Sequence, residues 1–326
     1  MMSISLCSRM SKAKSVAVCA GLALSLWSAP ALAQGTATPT PTPTPPAAPK
    51  APAAPKAPAA PAAPAKAPEV TPPAADAPSA EAIMERSIDA IGGRAKLEKV
   101  TSRSMKGKMD FGAMKGEMEM LQVKDRSIMT MTIPQAGVVK SGFDGTNVWQ
   151  FSDMQGPRLL EGAERTEYLR TGMLNAELRW RERYKALKNV GSAEIEGKST
   201  HKLELTTNEG TTEFNYFDKE TGLPVRTDMT MKSPMGELKS QIFIASWAEV
   251  DGMKFPQKIV TRVMGQEFSM LFEDVKVNQE IASDKFTPPQ DVVDMIKERA
   301  LKAAPKPATP AAPAAPAAPK SPMGNP

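Results

Sequence analysis

The sequence predicts an α+β domain built on one strongly curved antiparallel β-sheet, carried between proline-rich arms. Two observations predict the sheet. From about residue 102 to residue 277, short runs of alternating apolar and polar residues recur, and turn dipeptides such as Asp144-Gly145 and Thr221-Gly222 separate them. About ten strands joined by consecutive hairpins form one antiparallel sheet, and a sheet of that size curls instead of staying flat. A third observation gives the second layer. Only a few stretches have helical periodicity, so these few helices have to cover the concave face of the sheet.

The first 33 residues read as a cleavable export signal. Arg9, Lys12 and Lys14 precede an apolar run from Ser15 to Trp27, and Ala31-Leu32-Ala33 is a small-x-small cleavage pattern that makes Gln34 the new N-terminus. At about 13 residues the run is shorter than the ~20 needed to span a bilayer. Lipidation at Cys19 fits poorly, because Lys14 leaves almost no hydrophobic stretch before it. Cys7 and Cys19 both fall inside the signal, so the exported chain has no disulfide, thiolate or cysteine metal ligand, and packing alone holds the fold. This places the protein in the periplasm, soluble or peripherally attached to the envelope.

Residues 34–78 and 304–326 are Pro- and Ala-rich. Proline fixes φ and removes a donor, so both segments favour extended polyproline II and have no core of their own. At ~3.1 Å per residue the first reaches on the order of 140 Å. A spacer through a crowded envelope and a passive solubilising tail both fit. The formal net charge of +5 lies in the signal and the arms, which leaves the central region essentially neutral. Nucleic-acid binding, which needs a concentrated basic surface, finds no support.

Residues 79–303 are long enough for one sizeable core. Ser79 is the N-cap of a first helix whose apolar face runs through Ile83, Ser87 and Ile91, with Met84 and Ile88 beside it, and Gly92-Gly93 stops it. Strands follow at 102–111, 117–124, 127–133, 138–143 and 147–151. Residues 161–188 have helical spacing, and Gly172 and Asn175 divide them into two helices. In the second of these, Trp180 and Tyr184 stand among Arg179, Arg181, Arg183, Lys185 and Lys188, which suits either a solvated face or contact with an anionic lipid surface. Strands return from Ala193 to Val277, and a last helix spans about Pro289 to Lys302 with Val292, Val293 and Ile296 apolar.

Most catalytic chemistry is missing from the residue inventory. The single histidine, His201, reads as a strand surface residue, and neither a Ser-His-Asp set nor a Gly-x-Ser-x-Gly elbow can be assembled. No glycine-rich phosphate loop opens a helix, and no His/Cys set can hold zinc. Glu194/Glu196 and Glu117/Glu119 pair on strands at i, i+2, where solvated surface charge outweighs a carboxylate or calcium site.

The positive signal is methionine. Met118 and Met120, Met129 and Met131, Met229 and Met231, and Met105 and Met109 each share one face of a strand, which places their thioethers side by side. Three readings are open: gap-filling core, a plastic apolar cavity that adapts to its ligand, and a thioether site for cuprous ion. Trp149 and Phe151, on the strand after Asp144-Gly145, join these methionines as candidate cavity residues, and Phe243, Trp247, Phe268 and Phe272 read as core.

Several phrases, in order, resemble the bacterial outer-membrane lipoprotein-sorting carriers and their LolA-like relatives. They are Ala90-Ile91-Gly92-Gly93 with Leu97 and Val100, then Gly142-Phe143-Asp144-Gly145-Thr146-Asn147-Val148-Trp149. After these come Phe217-Asp218-Lys219-Glu220-Thr221-Gly222-Leu223-Pro224 and Val250-Asp251-Gly252-Met253-Lys254-Phe255-Pro256. Val275-Lys276-Val277-Asn278 and Phe286-Thr287-Pro288 complete the set. The resemblance covers most of residues 80–290. It implies an unclosed β-barrel capped by helices, with an apolar cavity for acyl chains and a role in ferrying or sensing lipids or lipoproteins. No lid residue of that family can be placed here, and the long arms depart from a compact carrier.

The function expected from sequence is therefore a non-catalytic periplasmic carrier for lipid acyl chains or lipidated protein, without a cofactor or a metal. The competing reading is an envelope structural protein whose proline-rich arms engage cell wall, membrane surface or protein partners.

Overall fold

The computed structural model describes residues 68–303 except 113, 135, 234 and 235, and leaves the side chains of 231–237 and 303 undescribed. The export signal, residues 34–67 of the first proline-rich arm and the second arm lie outside the described residues, and Val70–Thr71, read from sequence as part of that arm, is a strand paired with Ala193 and Ser192.

The chain begins with β1 (Val70–Thr71), α1 (Ala80–Ala90) and α2 (Arg94–Leu97). Six strands follow: β2 (Ser102–Asp110), β3 (Lys115–Val123), β4 (Arg126–Ile133), β5 (Gly137–Phe143), β6 (Val148–Ser152) and β7 (Gly156–Leu160). A short helical region contains α3 (Gly162–Thr171), a 3₁₀ turn at Ala176–Arg179 and α4 (Trp180–Arg183). The second run of strands is β8 (Tyr184–Ile195), β9 (Lys198–Thr207), β10 (Thr212–Asp218), β11 (Pro224–Ser233), β12 (Gly236–Val250), β13 (Met253–Val263) and β14 (Gln266–Val277). A 3₁₀ turn at Ser283–Phe286 and α5 (Gln290–Ala303) end the described chain.

All fourteen strands form one sheet in the order β1-β8-β9-β10-β11-β12-β13-β14-β2-β3-β4-β5-β6-β7. Every pairing is antiparallel. β1 and β7 stand at the two edges, so the sheet does not close on itself. The β14–β2 pairing joins the two runs of hairpins across the middle. This is the antiparallel, unclosed sheet that the sequence predicts, with fourteen strands where about ten are expected.

The extra strands have local causes. Glu196 and Gly197 both have positive φ, at 48° and 80°, and turn the chain between β8 and β9 where no turn is expected. β1 and β7 are too short to show alternation. The predicted second helix is also corrected: helical structure stops at Arg183, and Tyr184–Ile195 is a strand that pairs with β9. Trp180 and Tyr184 are buried and cannot rest on a lipid surface.

Register sorts the side chains into two layers. On one face, called inner here, Met105 stands opposite Met120, Met120 opposite Met129, and Gly107 opposite Met118, which faces Met131. On the outer face, Leu121, Ile128, Gly142, Trp149 and Leu159 form a row across β3 to β7. Residues of α1 and α4 pack with inner-face side chains of β9, β10 and β13. In contrast, Val292, Met295 and Ile296 of α5 pack on the outer row, around Trp149. The helices therefore do not all cover the concave face. α5 caps the outer face of β6 and β7, where Trp149 needs cover. Gly142 makes room for that indole, since a Cβ there would stand 2.6 Å from Cζ2 of the Trp149 ring.

Candidate functional site

A cavity of about 370 Å³ lies between the inner face of the sheet and α1. That volume falls in the ~300–1,000 Å³ range of small-molecule sites. The way α1 is held defines it. Ser79 caps the helix through its Oγ, which accepts from the Ala82 N–H at 3.1 Å. At the other end the Lys254 N–H donates to the Ile91 carbonyl at 2.8 Å, and Arg86 donates to the Glu220 carbonyl at 2.8 Å. Two hairpin turns thus grip the helix from the sheet side. Gly92 has φ 131°, and an added Cβ would stand 2.9 Å from Cγ of Met253, so the turn after α1 seats against the β12–β13 hairpin only as glycine.

A polar clamp ties α1 to the helical region. Glu85 accepts from Arg181 at 2.6 Å, from Arg94 at 3.1 Å and from the Trp180 indole N–H at 3.2 Å. Burial works to raise the Glu85 pKa, but these three donors and the Arg94 charge outweigh it and hold the carboxyl below the usual carboxylate value. Because Trp180 itself lines the cavity, the clamp fixes one wall.

Below the clamp sits a buried ionic group. Arg170 on α3 pairs with Glu167 at 2.6 Å and with Glu213 of β10 at 3.2 Å, and the Tyr184 hydroxyl donates to Glu213. Burial disfavours the Arg170 charge, yet Glu213 and Glu167 overcome it and raise its pKa. Burial, and then the Glu213 charge, raise the Tyr184 pKa, so Tyr184 acts as a neutral donor. Tyr168, pushed up to about 12 chiefly by burial, shares a 3.1 Å hydrogen bond with Ser127 of β4. Together with Gln122, whose amide donates to the Gly172 carbonyl at 2.7 Å, these contacts lay α3 against the inner face of β3 and β4.

The methionines divide by position. Met105, Met118, Met120 and Met129 line the cavity. Met109 and Met131 are deeper, each 1% exposed, in a cluster with Ile133, Val139 and Phe272. Met229 stands opposite Glu213 and Ser240, half-buried and away from the cavity lining. Met231 pairs through its backbone with Leu238, and its side chain is among those not described. Trp149 and Phe151 belong to the outer cluster under α5, so the register separates them from the cavity methionines.

Sequence reading missed Met84 on α1 and Met270 on β14, both of which line the cavity. Met270 stands directly opposite Met109, a partnership that only the β14–β2 pairing reveals. It also missed the polar lining. Arg103 donates its Nε to Gln122 at 2.8 Å, lies over the Phe255 ring at 5.5 Å and has Glu177 at 3.9 Å. Arg183 donates Nη1 to the Ala176 carbonyl at 3.1 Å and lies over the Tyr184 ring at 5.4 Å. Among the described residues, Arg183 Nε and Asn215 Oδ1 are buried without a hydrogen-bond partner.

The remaining sequence candidates lie elsewhere. His201 on β9 is opposite Phe217, and burial, Lys219 and Arg86 push its pKa down. Glu119 and Lys106 pair at 3.2 Å on an exposed stripe. Among the described residues, no three His, Cys, Asp or Glu side chains gather as a metal-holding group, and no helix is long and apolar enough to cross a membrane.

No family description matches the chain, and no curated protein matches it. Solved structures do. The chain is similar to a DUF1329 family protein from Desulfovibrio piger, at 11% identity and TM-score 0.45 over 64% of this chain and 97% of that one. It is similar to a LolA superfamily protein from Nitrosomonas europaea, at 16% identity and TM-score 0.46 over 65% of this chain and 99% of that one. A domain from Vibrio parahaemolyticus, described as a candidate outer membrane lipoprotein-sorting protein, shares 10% identity and TM-score 0.43 over 63% of this chain and 97% of its own.

Proposed function

We propose that this chain is a non-catalytic binding or carrier protein for an acyl chain, exported by its N-terminal signal to work in the periplasm. The observation that supports this reading is the cavity itself. Its walls combine the thioethers of Met84, Met105, Met118, Met120, Met129 and Met270 with the Ile88, Phe255 and Phe272 side chains. Each methylene moved from water into such a wall contributes ~0.8 kcal/mol, so a single chain of moderate length binds without any covalent step. Methionine suits the task because its unbranched thioether repacks around chains of different length and shape. A lipidated protein would present the same acyl chain.

The test uses a neutral apolar fluorophore, N-phenyl-1-naphthylamine, titrated into the folded protein and displaced by dodecanol. Saturable binding at one site is expected, with loss of that site in Met118→Trp/Met129→Trp, where two indoles fill the space. The proposal fails if the fluorophore does not bind, or if the filled variant binds it equally well.

A further inference from the structure

We propose that the ligand of this cavity is an anionic amphiphile whose acid group, a carboxylate or a phosphate, is held by Arg183. The inference rests on the acyl-chain reading above and assigns the polar end of the same ligand.

Arg183 borders two spaces. It lines the apolar cavity, and it also lines an adjoining crevice of about 200 Å³ whose other walls include Thr166, Arg170, Arg179, Glu182 and Asn208. A chain lying against the methionines therefore meets Arg183 where apolar lining gives way to polar lining. The guanidinium is fixed there by the Ala176 carbonyl and the Tyr184 ring.

Charge and burial together single out this residue: Arg179, which also lines the crevice and has no ion pair among the described residues, is exposed, whereas Arg183 is half-buried. Arg170, in the same crevice, is already neutralised by Glu167 and Glu213. Arg103, the other cavity arginine, gives its Nε to Gln122 and has Glu177 nearby. Arg183 is half-buried, and among the described residues it has no carboxylate within ion-pair distance. Of its five N–H donors only one has a partner among the described residues, where Nε is buried without an acceptor. A partly buried cation without a counter-ion is costly in a folded protein, and an anion arriving with the ligand relieves that cost. A guanidinium also matches a carboxylate or phosphate through two parallel hydrogen bonds. Glu182 and Glu209 border the crevice as well, which favours one small acid group beside Arg183 over a polyanion.

The test is displacement of N-phenyl-1-naphthylamine at low ionic strength and neutral pH by dodecanoate, dodecyl phosphate and dodecanol, which share one chain and differ in headgroup. At least one acid should displace the fluorophore at about tenfold lower concentration than dodecanol. The tighter acid distinguishes a carboxylate ligand from a phosphate one. Arg183→Gln should abolish the preference of acid over alcohol, while Lys106→Gln, on the exposed stripe away from the cavity, should retain it. Equal displacement by all three probes in the unmodified protein overturns the headgroup assignment and leaves the acyl-chain reading standing. A preference lost in Arg103→Gln but kept in Arg183→Gln also overturns it. Binding of none of the probes overturns both proposals. If Arg183→Gln does not fold, Arg183→Lys, which keeps the charge and loses the fork, should weaken the preference, and the comparison of probes in the unmodified protein still decides.

Discussion

The inner face of the sheet has two unlike halves. Under α1, stiff aliphatic and aromatic side chains fill the space: Leu203 and Leu205 of β9, Phe217 of β10 and Phe255 of β13, against Ile83, Ile88 and Trp180. Across β14, β2, β3 and β4 the filling is Met105, Met109, Met118, Met129, Met131 and Met270, and among the described residues no helical one belongs to that cluster. The first half is pinned by polar contacts from the helices, namely the Glu85 clamp and the Arg170–Glu213–Tyr184 group. The second buries its thioethers against one another. The cavity lies where the halves meet and takes lining from both. One wall of fixed rotamers thus sets where a ligand sits, and one of flexible thioethers sets how it is accommodated.

The largest effect that would break this comparison comes from the polar pins. Glu213→Ala leaves the Arg170 guanidinium and the Tyr184 hydroxyl without their shared acceptor in a site where Arg170 and Glu213 side chains are 6% and 4% exposed. Breaking a buried ion pair from one side costs about 3–5 kcal/mol. Glu167, which stays beside Arg170, places the expected loss near the lower figure. Urea unfolding measures it, and a loss under about 1 kcal/mol would mean that the group is not a pin.

A second comparison sets the two fillings against each other. Leu203 is fully buried, and Leu203→Ala should destabilise by about 2–5 kcal/mol, because the helix and sheet around it collapse only partly. Met131 is almost as buried, yet Met131→Leu conserves volume among adaptable neighbours and should cost less than about 1.5 kcal/mol. The sharper contrast is in binding. Leu203→Ala should weaken dodecanol binding by loosening the seat of α1, whereas Met131→Leu should leave the site in place and narrow the range of chain lengths it takes. Equal stability losses for the two substitutions would show that the halves do not differ in stiffness.

Much of this was legible in the sequence where the signal is local. The Ser79 cap, the face through Ile83, Ser87 and Ile91, and the stop at Gly92 are read from adjacent residues and recur in the structure. Period-two methionines on β2, β3 and β4 face inward as alternation requires. The cavity lining was only half legible, because it is assembled from long-range pairings. Trp180 to Lys188 reads as a basic helix, but Asn175 takes a left-handed turn at φ 53° and Tyr184 opens a strand opposite Thr207, its hydroxyl on Glu213. Tertiary pairing overrides the local period there. Trp149 and Phe151 share the fate of residues whose face is legible and whose cover is not. Alternation separates their face from that of the methionines once strands are aligned, yet only α5, far along the chain, makes that outer face a core.

The smallest effect concerns the Glu85 clamp on α1 and its pH dependence. Glu85 has its pKa lowered in the folded protein: burial raises it, and Arg181, Arg94 and Trp180 lower it by more. A carboxyl with a depressed folded pKa stabilises fully above its unfolded value, here 4.5, and loses that contribution as pH falls through the lower folded value. The clamp on α1 should therefore be intact at neutral pH and slacken as pH drops below 4.5. The Glu85 side chain is 36% exposed, so solvent screens the pair and the contribution is about 0.5–1 kcal/mol. Other carboxylates titrate in the same range, so the measurement is a difference: unfolding free energy of the unmodified protein minus that of Glu85→Gln, followed from pH 7 to pH 3. That difference should be positive at pH 7 and shrink toward zero in acid, while Leu203→Ala, which removes no charge, should show a pH-independent loss. A Glu85→Gln difference that stays constant across the range would mean that α1 is held by packing and backbone bonds alone, and the polar pins of the helix half would then reduce to the Arg170 group.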